Sequence, residues 1–205
     1  MTSPVVYTIG HSSQPIEEFI GALKKHGIGN LADVRSIPYS RRFPQFSREA
    51  LQKSLVVDGI GYLYLGRELG ARRDEPECYV DGRAAYGEIA KLPNFQRGLH
   101  GLVTVAQRRR TALMCSEQDP LTCHRVILIC HEMRQSGLTI LHILRGGELE
   151  AHEDAEKRLI DEELGGAAQP DLFPGSRTCD ERLEDAYRRR ALRISYRRDE
   201  LKRSF

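Results

Sequence analysis

At 205 residues, 40% of them hydrophobic and with a formal net charge of +2, the chain has room for one ordinary domain with a core that needs no stapling. So small a net charge excludes a global polyelectrolyte attraction as the basis of binding. No stretch reaches the roughly 20 apolar residues that span a bilayer, Met1-Thr2-Ser3-Pro4 lacks the features of a signal peptide, and five scattered cysteines suit reduced thiols, so a soluble cytoplasmic protein is expected.

Val5 to Ile9 is β-rich and ends in the polar turn Gly10-His11-Ser12. Ile16, Phe19, Ile20 and Leu23 recur at helical spacing, and Gly27 ends that helix. A second strand, Leu31 to Val34, runs into Asp33-Val34-Arg35-Ser36. Pro38 and Pro44 then enforce an irregular loop, and Ser47 is the expected cap of a helix to about Val57. Tyr62 to Leu65 is a third strand that stops at Gly66, and Leu69 to Glu77 reads as a long loop. Helices are predicted near Tyr79 to Lys91 and Phe95 to Arg109.

Thr111 to Met114 is a buried strand by its apolar run. After the polar residues Cys115-Ser116-Glu117-Gln118, Asp119-Pro120 reads as an N-cap followed by a proline at the first helical position. The apolar helix Leu121 to Gln135 follows, stopped by Gly137, and Leu138 to Leu144 is a last strand. Glu148 to Leu164 reads as an exposed acidic helix, Ala167 to Ser176 as a linker, and Arg177 to about Arg193 as a basic helix with Leu183, Ala186, Tyr187 and Leu192 as its apolar stripe.

Strands alternating with helices predict an α/β fold: a mainly parallel sheet of about five strands with helices on both faces, plus a C-terminal helical tail. The corresponding divisions are a core domain over 1–147, an acidic helix over 148–166, a linker over 167–176 and a basic tail over 177–205. Ligands of such sheets sit beyond the carboxyl ends of the strands. His11, Ser12, Asp33, Arg35, Gly66, Cys115 and Glu117 are therefore expected to converge there.

The ordered motifs Thr8-Ile9-Gly10-His11-Ser12, Asp33-Val34-Arg35, the Pro38-to-Phe43 loop, Leu65-Gly66 with Leu69-Gly70, and Met114-Cys115-Ser116-Glu117 to Cys123-His124-Arg125 resemble a bacterial and archaeal family, domain of unknown function 488. The resemblance covers roughly residues 5 to 145. It implies that these positions form a common site and implies no reaction, so the chemistry rests on the residues themselves.

A helix start after a strand favours anions and stabilises a thiolate. Cys115 is the candidate nucleophile there, with His124 or Arg125 to lower its pKa. Glu117, Asp33 and His11 are the acid–base candidates. Arg125 in a first helical turn opposes the helix dipole, which is explained if Glu117, Asp119 or an anionic ligand faces it. Arg35, Arg41, Arg42, Arg67 and Arg125 form a candidate phosphate-reading set, and Ser36, Tyr39 and Phe43 interleave with the arginines as in readers of single strands. Ser12, Gly66, Cys123 and His124 complete the ligand-binding candidates. Each has a structural alternative: an inert buried thiol, an ion pair, a solvated loop.

No metal or cofactor is expected. Zinc at Cys115, Cys123 and His124 is the minor alternative, because their spacing is unlike the tight pairs of structural sites and His11 would have to supply a fourth ligand. Gln169-Pro170-Asp171-Leu172-Phe173 resembles the peptide by which bacterial replication and repair proteins dock on the DNA sliding clamp, which makes Gln169, Asp171, Leu172 and Phe173 partner-binding candidates. The expected function is the binding or processing of nucleic acid or a phosphorylated, nucleotide-like ligand. A non-catalytic adaptor using the same pocket and a thiol redox enzyme using Cys115 and Cys123 are the alternatives.

Overall fold

Runs rich in β-branched and aromatic residues build a six-stranded sheet in which five strands are parallel. The structure, a computed structural model, describes residues 4–165 and 178–198. In chain order its elements are β1 (Val5–Gly10), α1 (Ile16–Lys25), β2 (Asn30–Asp33), α2 (Arg48–Val57), β3 (Gly61–Tyr64) and a one-turn α3 (Gly66–Leu69). A short hairpin, β4 (Tyr79–Val80) and β5 (Arg83–Ala84), precedes α4 (Tyr86–Lys91), α5 (Pro93–Arg108) and β6 (Thr111–Cys115). A π-helical segment, Arg125–Cys130, continues into α6 (His131–Met133), followed by β7 (Thr139–Ile143), β8 (Leu149–Ala151), α7 (His152–Leu164) and α8 (Cys179–Ile194).

The strand order is β3-β2-β6-β1-β7-β8, with β8 antiparallel to β7. The crossover from β1 to β2 leaves a slot that β6 later fills, so β6 lies between them with every residue buried. Reversal of strand order at such a slot opens a crevice beyond the strand ends. Alternation along the strands divides two cores. Tyr7, Ile9, Leu31, Ala112 and Met114 pack on α1 and α2 through Phe19, Leu23, Leu51 and Leu55. Val6, Ala32, Leu113 and Cys115 face the other core, with Phe95, Leu102, Val126, Ile129, Leu159 and Tyr187. Among the described residues no helix is long and apolar enough to cross a membrane.

Several local expectations are corrected. Tyr79 to Lys91 is not one helix, because Asp81 and Gly82 take positive φ (50° and 73°) and turn the chain into a hairpin. Leu69, expected to open the long loop, is the last residue of α3, and Gly66, expected to end a strand, opens that helix. Ser47 precedes α2 without capping it; its hydroxyl instead bonds the backbone of Ser40. Leu149–Ala151 is a sixth strand, edge-paired to β7, so α7 starts only at His152.

The acidic and basic helices pack on each other and on the core. Ala155 and Leu159 of α7 and Leu183, Ala186 and Tyr187 of α8 are buried, whereas Leu192 is 60% exposed and falls outside the stripe. Arg190 is buried and paired with Glu162 and Glu163, so the complementary charges of the two segments meet at their interface. A Thr178–Glu181 capping box starts α8.

Candidate functional site

The carboxyl ends of β1, β2 and β6 lie side by side and carry two constellations. At the end of β2, Arg35 donates to both carboxylate oxygens of Asp33, at 2.9 and 2.6 Å, and to the carbonyl of Phe46 at 2.8 Å. Tyr62 donates its hydroxyl to Asp33 at 2.7 Å, and the Arg35 backbone N–H adds a fourth bond to the same carboxylate. His11 stacks on Phe46. Its Nδ1 is 2.9 Å from the carbonyl of Ser12, which can only accept, so Nδ1 carries the proton and Nε2 accepts from Arg35 Nη1 at 3.2 Å. Burial keeps this imidazole neutral by lowering its pKa to about 4.

At the end of β6, His124 Nε2 lies 3.1 Å from the carbonyl of Val34 and must donate to it. Its Nδ1 then faces two sulfurs, Cys115 Sγ at 3.6 Å and Cys123 Sγ at 3.8 Å. The backbone N–H of Arg125 points at Cys123 Sγ from 3.4 Å, and Glu117 Oε2 lies 3.9 Å from Cys115 Sγ. Burial opposes ionisation of Cys123, but the bond from Cys115 and the Arg125 charge outweigh it and bring that thiol well below its ordinary pKa. The bond to Cys123, followed by burial, pushes Cys115 the other way. Cys123, not Cys115, is therefore the more acidic of the two thiols.

A cavity of about 310 Å³ opens onto the second constellation. Cys115, Glu117, Cys123 and His124 line it together with Arg35, Ser36, Arg72 and the 66% exposed Tyr39. Tyr86, only 8% exposed, lines it as well. Ile194, the last residue of α8, and Tyr196, two residues beyond it, also line the cavity. Glu117 stands exposed along one edge, yet the protein packed around the rest of its carboxylate raises its pKa, and the Cys123 charge adds to this.

A family model described as "Domain of unknown function DUF488" matches residues 15–131, more than half of the chain. The chain belongs to the DUF488 family. The matched span holds the Asp33-to-Arg35 and Cys115-to-Arg125 motifs and begins just after the Gly10-His11-Ser12 turn. Comparisons with curated proteins and with solved structures find no match.

In this DUF488 chain the candidates divide. Cys115, Glu117, Cys123, His124, Arg35, Ser36 and Tyr39 meet at the cavity. His11, Ser12, Asp33, Gly66, Arg41, Arg42 and Phe43 do not line it. Asp33 and His11 are corrected from acid–base groups to supports: Asp33 is fully buried with both oxygens engaged, and both His11 nitrogens are occupied. His11 is accordingly unavailable as a metal ligand. Ser12 is tied by its N–H to the carbonyl of Ser116. Gly66 serves close packing, because a Cβ there would meet the Arg35 carbonyl at 2.0 Å. Arg41 and Arg42 are exposed, Arg42 lying over the Phe43 ring, and Phe43 packs on the α1–α2 core. Arg67 is exposed, its carbonyl taken by Arg73.

Arg125 is the largest correction. The helix does not start at Leu121: Pro120–Thr122 is a 3₁₀ turn, Cys123 is extended, and helical backbone begins at His124. Arg125 is 0% exposed, and its guanidinium turns from the cavity to the carbonyls of Glu117 and Gln118, at 2.6 and 3.0 Å. Asp119 makes no ion pair with it. Asp119 pairs instead with Arg158 of α7, and Arg190 of α8 donates to the Leu121 carbonyl at 3.1 Å. Three arginines thus brace the loop from Glu117 to Leu121, two of them from the C-terminal helices. Sequence reasoning missed Arg72, Tyr86, Ile194 and Tyr196. Arg72 stood in a visible basic run, but nothing in the sequence marks the others.

Proposed function

We propose that the chain binds a phosphate-bearing, nucleotide-like ligand in the cavity at the carboxyl ends of β2 and β6. The observation that carries this reading is the lining by Arg35, Ser36 and Arg72 together with an exposed aromatic, Tyr39. Arg35 spends four of its five N–H groups on Asp33, Phe46 and His11, which leaves one Nη1–H for a ligand oxygen. Arg72 is exposed, seated over the Tyr196 ring and close to the Ser36 hydroxyl through its backbone N–H. Guanidinium groups favour phosphate by charge-assisted, paired hydrogen bonds. Glu117, which lines the same cavity, is the acid–base group in this reading.

Calorimetric titration with a nucleoside monophosphate tests it. Arg72→Ala is expected to weaken binding about tenfold, the scale of one charge-assisted bond, and added salt is expected to weaken it further. Absence of binding, or binding indifferent to both changes, overturns the reading. The exposed Arg41 and Arg42 beside Tyr39 favour a second reading, a single-stranded nucleic acid. A short oligonucleotide then binds more tightly than the mononucleotide, and Arg41→Ala with Arg42→Ala lowers the salt slope by about one unit. Recruitment by the DNA sliding clamp through Gln169, Asp171, Leu172 and Phe173, which lie outside the described residues, belongs to the same proposal. Replacing Leu172 and Phe173 by alanine should abolish clamp binding and leave ligand binding intact.

A further inference from the structure

We propose that Cys115, Cys123 and His124 bind a thiophilic divalent cation of the zinc type, with one coordination position open to the cavity. Among the described residues they are the one group of three or more His, Cys, Asp or Glu side chains placed to hold a metal ion, and their donor atoms all lie within 4.8 Å of one another. The spacing fits a tetrahedral centre. Zinc–sulfur bonds of about 2.3 Å and zinc–nitrogen bonds of about 2.0–2.1 Å at tetrahedral angles separate sulfur from nitrogen by about 3.6 Å. The two such edges here are 3.6 and 3.8 Å.

The surroundings orient these groups as ligands. A metal-binding histidine normally donates its second ring nitrogen to a carbonyl or carboxylate, which fixes the tautomer. His124 Nε2 does so to Val34, and this leaves Nδ1 directed at both sulfurs. The Arg125 backbone N–H supports the Cys123 sulfur, and the buried Arg125 guanidinium has no carboxylate partner among the described residues, so a site rich in thiolate offsets its charge.

The site is open on one side. All three ligands line the cavity, and Glu117 Oε2 stands 3.9 Å from Cys115 Sγ, where it can supply or flank a fourth ligand. The nine-tenths-buried phenol of Tyr86 lines the same space, with no hydrogen-bond partner for its hydroxyl among the described residues. Three protein ligands plus an exchangeable position are the arrangement of catalytic rather than structural zinc. Thiolate-rich donor sets select zinc and other thiophilic ions over magnesium or calcium. The inference stands whether or not the cavity takes a phosphate.

The test uses the full chain, stripped with a chelator and titrated with cobalt(II) and zinc. One cobalt per chain is expected, with a thiolate-to-cobalt charge-transfer band and the intense visible bands of a four-coordinate ion, both displaced by zinc. Cys115→Ser, Cys123→Ser and His124→Asn should each lower affinity by about tenfold or more. Cys179→Ser, at an exposed thiol outside the cluster, should leave it unchanged. Zinc should also protect Cys115 and Cys123 from alkylation in the unaltered chain. Failure of the unaltered chain to give the cobalt bands overturns the proposal, as do bands that persist in the Cys115→Ser, Cys123→Ser double variant or alkylation that zinc does not slow. The spectra and alkylation of the unaltered chain decide the matter even if a variant does not fold.

Discussion

The ends of β2 and β6 are neighbours in one sheet, both rich in groups that read as catalytic, and they use those groups in opposite ways. At the β2 end the network is closed but for one N–H of Arg35: Asp33 accepts four hydrogen bonds, and Arg35 and His11 bond each other and the backbone. At the β6 end two thiols, an imidazole and a carboxylate meet only through long sulfur contacts of 3.6 to 3.9 Å and line a cavity. A buried polar group that has found all its partners stabilises the fold; one left facing a cavity is available to a ligand. Titratable residue types at a strand end are therefore a weak guide to chemistry until their partners are counted.

Removing a carboxylate is the most direct way to break the contrast. Asp33→Ala strands the buried Arg35 charge and is expected to cost about 3–5 kcal/mol in urea unfolding. Asp33→Ala combined with Arg35→Met should recover part of that loss, because the double variant no longer buries an unpaired ion. If Asp33→Ala is neutral, the β2 network is not the support described here.

A second buried chain of polar groups ties the sheet to the C-terminal helices: Thr8 to His142, His142 to His152, and His152 to Tyr187, which donates to Glu156. Burial, with smaller contributions from Arg134 and His131, lowers the His152 pKa from 6.5 to about 4. The unfolded chain therefore takes up this proton first, so the stability it represents is complete above about pH 6.5 and is lost as the pH falls towards 4. A shift of that size is worth roughly 3 kcal/mol. His152→Gln should flatten the acid limb of stability against pH, and an unchanged limb would show that His152 titrates normally in the fold.

The smallest effect is expected where the chemistry is. In the metal-free chain Cys115→Ser should change unfolding by about 1 kcal/mol, since its thiol faces the cavity. Zinc should then stabilise the unaltered chain in thermal melts and not the variant. A loss from Cys115→Ser as large as that from Asp33→Ala would make the β6 cluster another structural support and erase the distinction.

The parallel sheet was legible because each strand is a short apolar run bounded by polar turns, and α1 because Phe19, Ile20 and Leu23 share a helical face. The hairpin at Asp81-Gly82 was legible in principle, since that dipeptide is a turn signal, but the helix expected from Tyr79 to Lys91 ran across it. β8 was hidden by its acidic surroundings, because an edge strand needs only backbone pairing. The sequence separation of Cys115 and Cys123 hides how near they lie, because a 3₁₀ turn over Pro120–Thr122 and the extended residue Cys123 bring His124 within 3.8 Å of both sulfurs.

What the amino-acid order determines here is what depends on neighbours within a few residues: alternation, amphipathic spacing, and the Gly and Pro punctuation. Hence it specified the α/β class and the carboxyl strand ends as the place to look. Tertiary structure alone decided which polar groups satisfy one another. Asp33 with Tyr62, Arg125 with the Glu117 and Gln118 carbonyls, and Arg190 with Leu121 are partners chosen by chain crossings. A guanidinium reaches several ångströms in any direction its backbone allows, so its identity in the sequence says that it will find an acceptor and not which one.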